Sequence, residues 1–136
     1  MTKEEKIAWL RRYQESLFRE KHLLLEIEQL RARAERITRA LTGMPAAPTR
    51  RNDAFLHSIE AMMETESQLL QQVDQAMRER SEIEQAIQAY PDPHGRELLR
   101  LHYLCGKTFE QAAECMGIST RWAYSLHRAA LEGIQI

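Results

Sequence analysis

From Phe55 to Tyr90 the apolar side chains advance by four and three residues in alternation. The run is Phe55, Ile59, Met62, Leu69, Val73, Ala76, Ile83, Ile87 and Tyr90, and only Glu66 and Arg80 interrupt it. A strand repeats every two residues, so this spacing fits a helix whose stripe winds along a partner helix. At ~1.5 Å per residue such a helix is roughly 50 Å long. Its stripe has to be buried against another helix or another copy, because most helical stability in water comes from packing an amphipathic face. Composition supports the same class. With 5 glycines and 4 prolines in 136 residues, and with Glu, Gln, Arg, Ala, Leu and Met abundant, an all-β or Rossmann-type fold is not expected.

The partner is expected within the chain. Residues from about Lys3 to Leu41 hold no Gly or Pro, and Leu10, Tyr13, Leu17, Leu24, Ile27, Ala34, Ile37 and Leu41 fall on one helical stripe. Gly43-Met44-Pro45-Ala46-Ala47-Pro48 ends that helix, and Asn52 or Asp53 suits the cap of the next. Residues 1–42 carry ten Lys/Arg against seven Glu, and residues 53–89 carry two Arg against eight acids. The two segments are thus opposite in charge. An antiparallel helical hairpin over residues 1–89 is the economical solution, acting as an oligomerisation or docking arm. It should place Leu24 opposite Leu70 and Ile37 opposite Ile59, with Arg31 near Glu64 and Arg36 near Glu60. Met62, Met63 and Met77 read as core. The basic stretch Arg31, Arg33, Arg36, Arg39, Arg50 and Arg51 reads as a solvated helix end, or alternatively as a second DNA contact.

Tyr90-Pro91-Asp92-Pro93-His94-Gly95 is the second break, and residues 95–136 form a separate unit. Three short helices are predicted there. The first runs from Arg96 to Leu104 and stops at Gly106. The second, Phe109 to Met116, is opened by a Thr108–Gln111 capping box. The third, Thr120 to Ile134, is capped by Ser119 and buries Ala123, Leu126, Ala130 and Ile134. Ala112 and Ala113 permit close helix approach, and Gly117 permits a left-handed turn. A short helix, a glycine turn and a capped second helix make a helix-turn-helix, which lays its second helix in the major groove of double-stranded DNA. Thr120, Arg121, Trp122, Tyr124 and Ser125 are then the candidate base readers. Lys107, Thr108, Ser119 and Arg128 are the candidate phosphate contacts.

The run Arg96-Glu97-Leu98-Leu99-Arg100-Leu101-His102-Tyr103-Leu104-Cys105-Gly106-Lys107-Thr108-Phe109-Glu110-Gln111-Ala112-Ala113-Glu114-Cys115-Met116-Gly117-Ile118-Ser119 resembles region 4 of bacterial sigma factors. The following stretch, Ser119 to Leu131, together with the layout of the chain, resembles the RinA-like phage transcriptional regulators. That resemblance implies a late-gene or packaging-related transcriptional activator encoded by a phage or prophage. On the preferred reading the chain acts in the cytoplasm of a bacterial host, and its hairpin docks RNA polymerase or a second copy. Trp122 and Tyr124 stand where charged residues are common in sigma region 4. No sigma region 2 precedes the module, so a promoter-melting sigma factor is not expected.

Other classes find less support. The formal net charge of −1 does not itself point to nucleic acid, so binding has to come from local geometry. No apolar run is long enough for a membrane span, and the charged start does not read as a signal core. Cys105 and Cys115, in a helical and apolar context, read as reduced thiols. His102, Cys105, Cys115 and His127 fit no common zinc spacing, so no metal or other cofactor is expected. No phosphate loop or activated nucleophile is present, so neither catalysis nor a small-molecule substrate is expected. Two alternatives remain: a small-terminase-like packaging adaptor, and a coiled-coil protein-interaction module.

Overall fold

A computed structural model describes the backbone of residues 1–43 and 48–136 and the side chains of 1–40 and 53–136. Every element among the described residues is helical. The chain runs α1 (Lys3–Gly43), α2 (Pro48–Ala89), α3 (Pro93–Leu99), α4 (Phe109–Met116) and α5 (Thr120–Gly133). The predicted all-α class and the hairpin of α1 on α2 are both present. The predicted break at residues 44–47 lies outside the described residues. The α2 helix begins at Pro48, so Asn52 and Asp53 fall inside it rather than capping it. Proline suits a first helical turn, where its missing N–H has no partner to lose.

Compactness divides the chain differently from the sequence. One unit is Met1–Leu17 with Gln75–Ile136, and the other is Phe18–Asp74. No core boundary falls at 90–94, because the ends of both long helices share a core with the C-terminal helices. Leu10, Ile83, Ile87 and Tyr90 pack with Leu99, Tyr103, Leu104, Ala130, Leu131 and Ile134. Polar contacts reinforce this join. The Lys6 ammonium donates to the carbonyls of Leu131 (2.8 Å) and Ile134 (3.1 Å), satisfying the end of α5. The Gln14 amide donates to the carbonyls of Tyr103 and Leu104. Gly95 and Gly133 both lie against the Tyr90 ring. A Cβ at Gly95 would sit 2.5 Å from Tyr90 Cε1, so the ring needs glycine there.

Within the same unit the hairpin register is set by Ser16 Oγ, which donates to Glu79 Oε1 at 2.9 Å, and by Arg12, which pairs with Glu82 at 2.8 Å. In the Phe18–Asp74 unit, Arg19 donates to Gln72. Numbers fall on α2 as they rise on α1, the antiparallel sense expected. On α1 the expected stripe positions Ile27 and Ala34 are buried, but on α2 the seam is rotated from the predicted one. In the Phe18–Asp74 unit its most buried α2 positions are Ser58 and Thr65, whereas Val73 is exposed. Leu24 and Leu70 are also exposed, so they do not face each other in the seam. Met62 is half-buried, and Met63 and Met77 are exposed rather than core. No ion pair among the described residues joins Arg31 to Glu64 or Arg36 to Glu60.

Small side chains account for the rotation. Ser58 and Thr65 return their hydroxyls to the carbonyls of Ala54 and Ala61, so they enter the seam with their hydrogen bonds already made. On α1, Ala34 and Ile27 are buried. At the other end the expected stripe does hold, because the C-terminal helices cover Ile83, Ile87 and Tyr90.

Candidate nucleic-acid interface

The C-terminal helices also have a small core of their own. Leu98, Ala112, Ala113, Ala123 and Leu126 form it, with Leu101, Phe109, Met116 and Ile118 at its edge. The alanines keep α4 close to α5, as their size suggests. The first helix starts at Pro93, three residues earlier than expected. The Asp92 carboxylate caps it, accepting from the N–H groups of His94 and Gly95. Its continuation, Arg100–Leu104, is a π-helical turn rather than more α-helix. Gly106 then leaves the helix with φ +72°.

Both local signals in the turn are present. Thr108 Oγ1 accepts from the Gln111 N–H, and the Gln111 side chain accepts from the Thr108 N–H. Gly117 has φ +68°, and the Ile118 N–H reaches back to the Ala113 carbonyl. Ser119 Oγ accepts from the Trp122 N–H at 3.1 Å, opening α5. On α5, Ala123, Leu126, Ala130 and Ile134 are all buried, as predicted.

Helical spacing sets Arg121, Ser125 and Arg128 on the opposite, outward face, and all three are exposed. Thr120 is half-buried beside them. Trp122 and Tyr124 flank this row and are each 45% exposed. The Trp122 ring lies 5.5 Å from the His94 imidazole, so part of its surface is spent within the protein. The Tyr124 ring packs on Phe109 at 4.8 Å, and its hydroxyl donates to Glu110 Oε1 at 3.2 Å. The Glu110 charge holds the Tyr124 phenol above its ordinary range. Reading a base would require this tyrosine to exchange its carboxylate partner. Thr108 and Ser119 use oxygen lone pairs as caps and keep a hydroxyl proton to offer a phosphate. Lys107, Arg121 and Arg128 have no ion-pair partner among the described residues. By contrast, Arg100 is held by Glu84 and Gln88, and Arg96 donates to the Tyr90 carbonyl.

A largely half-buried cluster that sequence reasoning missed fixes the loop bearing Lys107 and Thr108. His102 stacks on Phe109 at 4.1 Å, and its Nδ1–H donates to the Lys107 carbonyl at 2.7 Å. The Tyr103 hydroxyl and His127 Nε2 share a hydrogen bond of 2.6 Å. Burial pushes the Tyr103 phenol up to about 12. Burial, with the charges of His102 and Arg11, pushes His127 down to about 4. Burial also lowers His102, against the opposing pull of its bond to Lys107, so both imidazoles are neutral at neutral pH. These groups come from positions 11, 102, 103, 109 and 127, and no local spacing links them. Among the described residues no group of three or more His, Cys, Asp and Glu converges as a metal site. Both cysteines are free and exposed rather than set in apolar surroundings. No helix of the described residues is long and apolar enough to cross a membrane.

Compared with protein-family models, curated proteins and solved structures, the chain gives no match.

Proposed function

We propose that the chain is a sequence-specific regulator of transcription that binds double-stranded DNA with α5 in the major groove. The observation that carries this reading is the short capped α4, the left-handed turn at Gly117, and α5 with Arg121, Ser125 and Arg128 facing outward. Lys107, Thr108 and Ser119 at the neighbouring helix ends supply phosphate contacts and set the register, while Arg121 offers a bidentate fork to a guanine edge. Thr120, Trp122, Tyr124 and Ser125 complete the reading surface. The likeness of residues 96–119 to sigma region 4 supports the same assignment, and the RinA-like layout favours a phage or prophage late-gene activator in a bacterial cytoplasm. The role is binding rather than catalysis. RNA polymerase is the natural second partner for an activator of this kind.

Selection of bound sequences from a random duplex pool tests the reading directly. Enrichment of a defined site supports it. A pool that stays random at low salt overturns it, since phosphate attraction alone gives only sequence-independent binding. Arg121→Ala is expected to weaken binding to the selected site by about 1–3 kcal/mol while scrambled DNA is bound as before. An equal loss on both would make Arg121 a phosphate contact.

A further inference from the structure

The Phe18–Asp74 unit carries a second heptad row on α2. Leu56, Ile59, Met63, Leu70 and Val73 advance by three and four residues, with Glu66 filling the remaining position. This row is distinct from the seam with α1, where Ser58 and Thr65 are buried. Leu56 is 55% exposed, Met63 64% and Leu70 71%, a density of exposed large apolar side chains that single solvated positions do not explain. Beside the row lies an apolar groove of about 520 Å³, lined by Ala34, Thr38, Phe55, Ile59 and Met62 together with the charged Arg31, Glu35 and Arg39. Row and groove share Ile59.

The charges around these two features are complementary. From residue 53 to residue 77, α2 contains no Lys or Arg, and Glu60, Glu64 and Glu66 accompany its apolar row. The corresponding length of α1, residues 18–42, carries six Lys/Arg against Glu20, Glu26, Glu28 and Glu35, a net charge of +2 against −5 for residues 53–77 of α2. Two α2 rows set against each other would place acid on acid. An α2 row set against the groove and α1 of another molecule places a net acidic surface on a net basic one, and the same contact recurs when the molecules exchange roles. That self-complementarity is what a two-fold interface requires.

We propose that this face docks a second copy of the chain, hairpin against hairpin, with the acidic apolar row of α2 in one copy against the groove and the net-basic α1 of its partner. The inference stands whether or not α5 reads DNA.

Sedimentation of the full chain over a dilution series is the test. The wild type is expected to sediment as a dimer that dissociates on dilution. Met63→Glu with Leu70→Glu buries two further acids in the contact and is expected to raise the dissociation midpoint by roughly a hundredfold. Both positions are exposed in the single chain, so far-ultraviolet circular dichroism should be unchanged. Leu70→Met should keep the dimer, and so should Phe18→Glu, an equally drastic change at an exposed position of α1. A monomeric wild type overturns the proposal and leaves the face to a different protein. A dimer that survives the double substitution, or one broken by Phe18→Glu alone, places the contact elsewhere and overturns it as well.

Discussion

Acid should loosen the C-terminal helices through one histidine. In the folded chain His127 is half-buried among Tyr103, Phe109 and His102, shares a hydrogen bond with the Tyr103 hydroxyl, and is held to about 4. An unfolded histidine titrates near 6.5. Between these values the unfolded chain binds a proton that the folded chain refuses, so stability rises with pH across that window. The contribution is complete above the unfolded value and is lost as pH falls toward the folded one. The whole gap corresponds to a ceiling of about 3 kcal/mol, and the part reached at pH 5 to about 2 kcal/mol. Because the ring keeps some contact with solvent, about 1 kcal/mol at pH 5 is the realistic share. For a chain of this size that lowers the melting midpoint by roughly 3–5 °C. His127→Gln removes the titration and keeps an acceptor for Tyr103. Tryptophan fluorescence is the suitable probe, since Trp9 packs against the shared core and Trp122 sits on α5. The midpoint of the wild type should fall between pH 7.5 and pH 5 by that much more than the midpoint of the variant, because carboxylates titrate alike in both. Equal losses in the two proteins would refute the argument.

Other outcomes follow from single positions. Gly117→Val should cost about 1–2 kcal/mol in thermal melting from backbone strain alone, because a side chain there meets nothing within 4 Å but must adopt φ +68°. An unchanged midpoint would mean that the turn is not left-handed. Ser16→Ala removes a donor from a buried carboxylate whose other oxygen already lacks a partner, and should destabilise by about 1–3 kcal/mol. Glu79→Met in the same background should recover most of that loss, and failure to do so would mean that the carboxylate is not a liability. Gly95→Ala forces the Tyr90 ring to move and should lower the midpoint by the equivalent of about 1–3 kcal/mol; a neutral result would show that the ring has room.

Whatever depends on neighbours a few residues away was legible in the order of the residues. The Thr108–Gln111 box, the Ser119 cap, the left-handed Gly117 and the limits of α4 are consequences of local hydrogen bonding and of backbone sterics. The buried face of α5 follows from a 3.6-residue period on a helix whose ends were already marked. Tertiary structure decided which of several apolar rows on α2 would be covered. Periodicity places rows on a helix but does not say from which side the partner arrives. Small, internally bonded side chains at Ser58 and Thr65 let α1 approach over them, turning Leu56, Met63 and Leu70 outward. Tertiary structure also decided that the turn at Tyr90–Gly95 would not separate two bodies. A turn breaks a helix locally, whereas a boundary requires that few contacts cross it, and here Leu10, Ile87 and Tyr90 meet Tyr103 and Leu131 across that turn. The positioning cluster of His102, Tyr103 and His127 belongs to the same class, since its members are brought together by packing and by no spacing that a chain read in order could display.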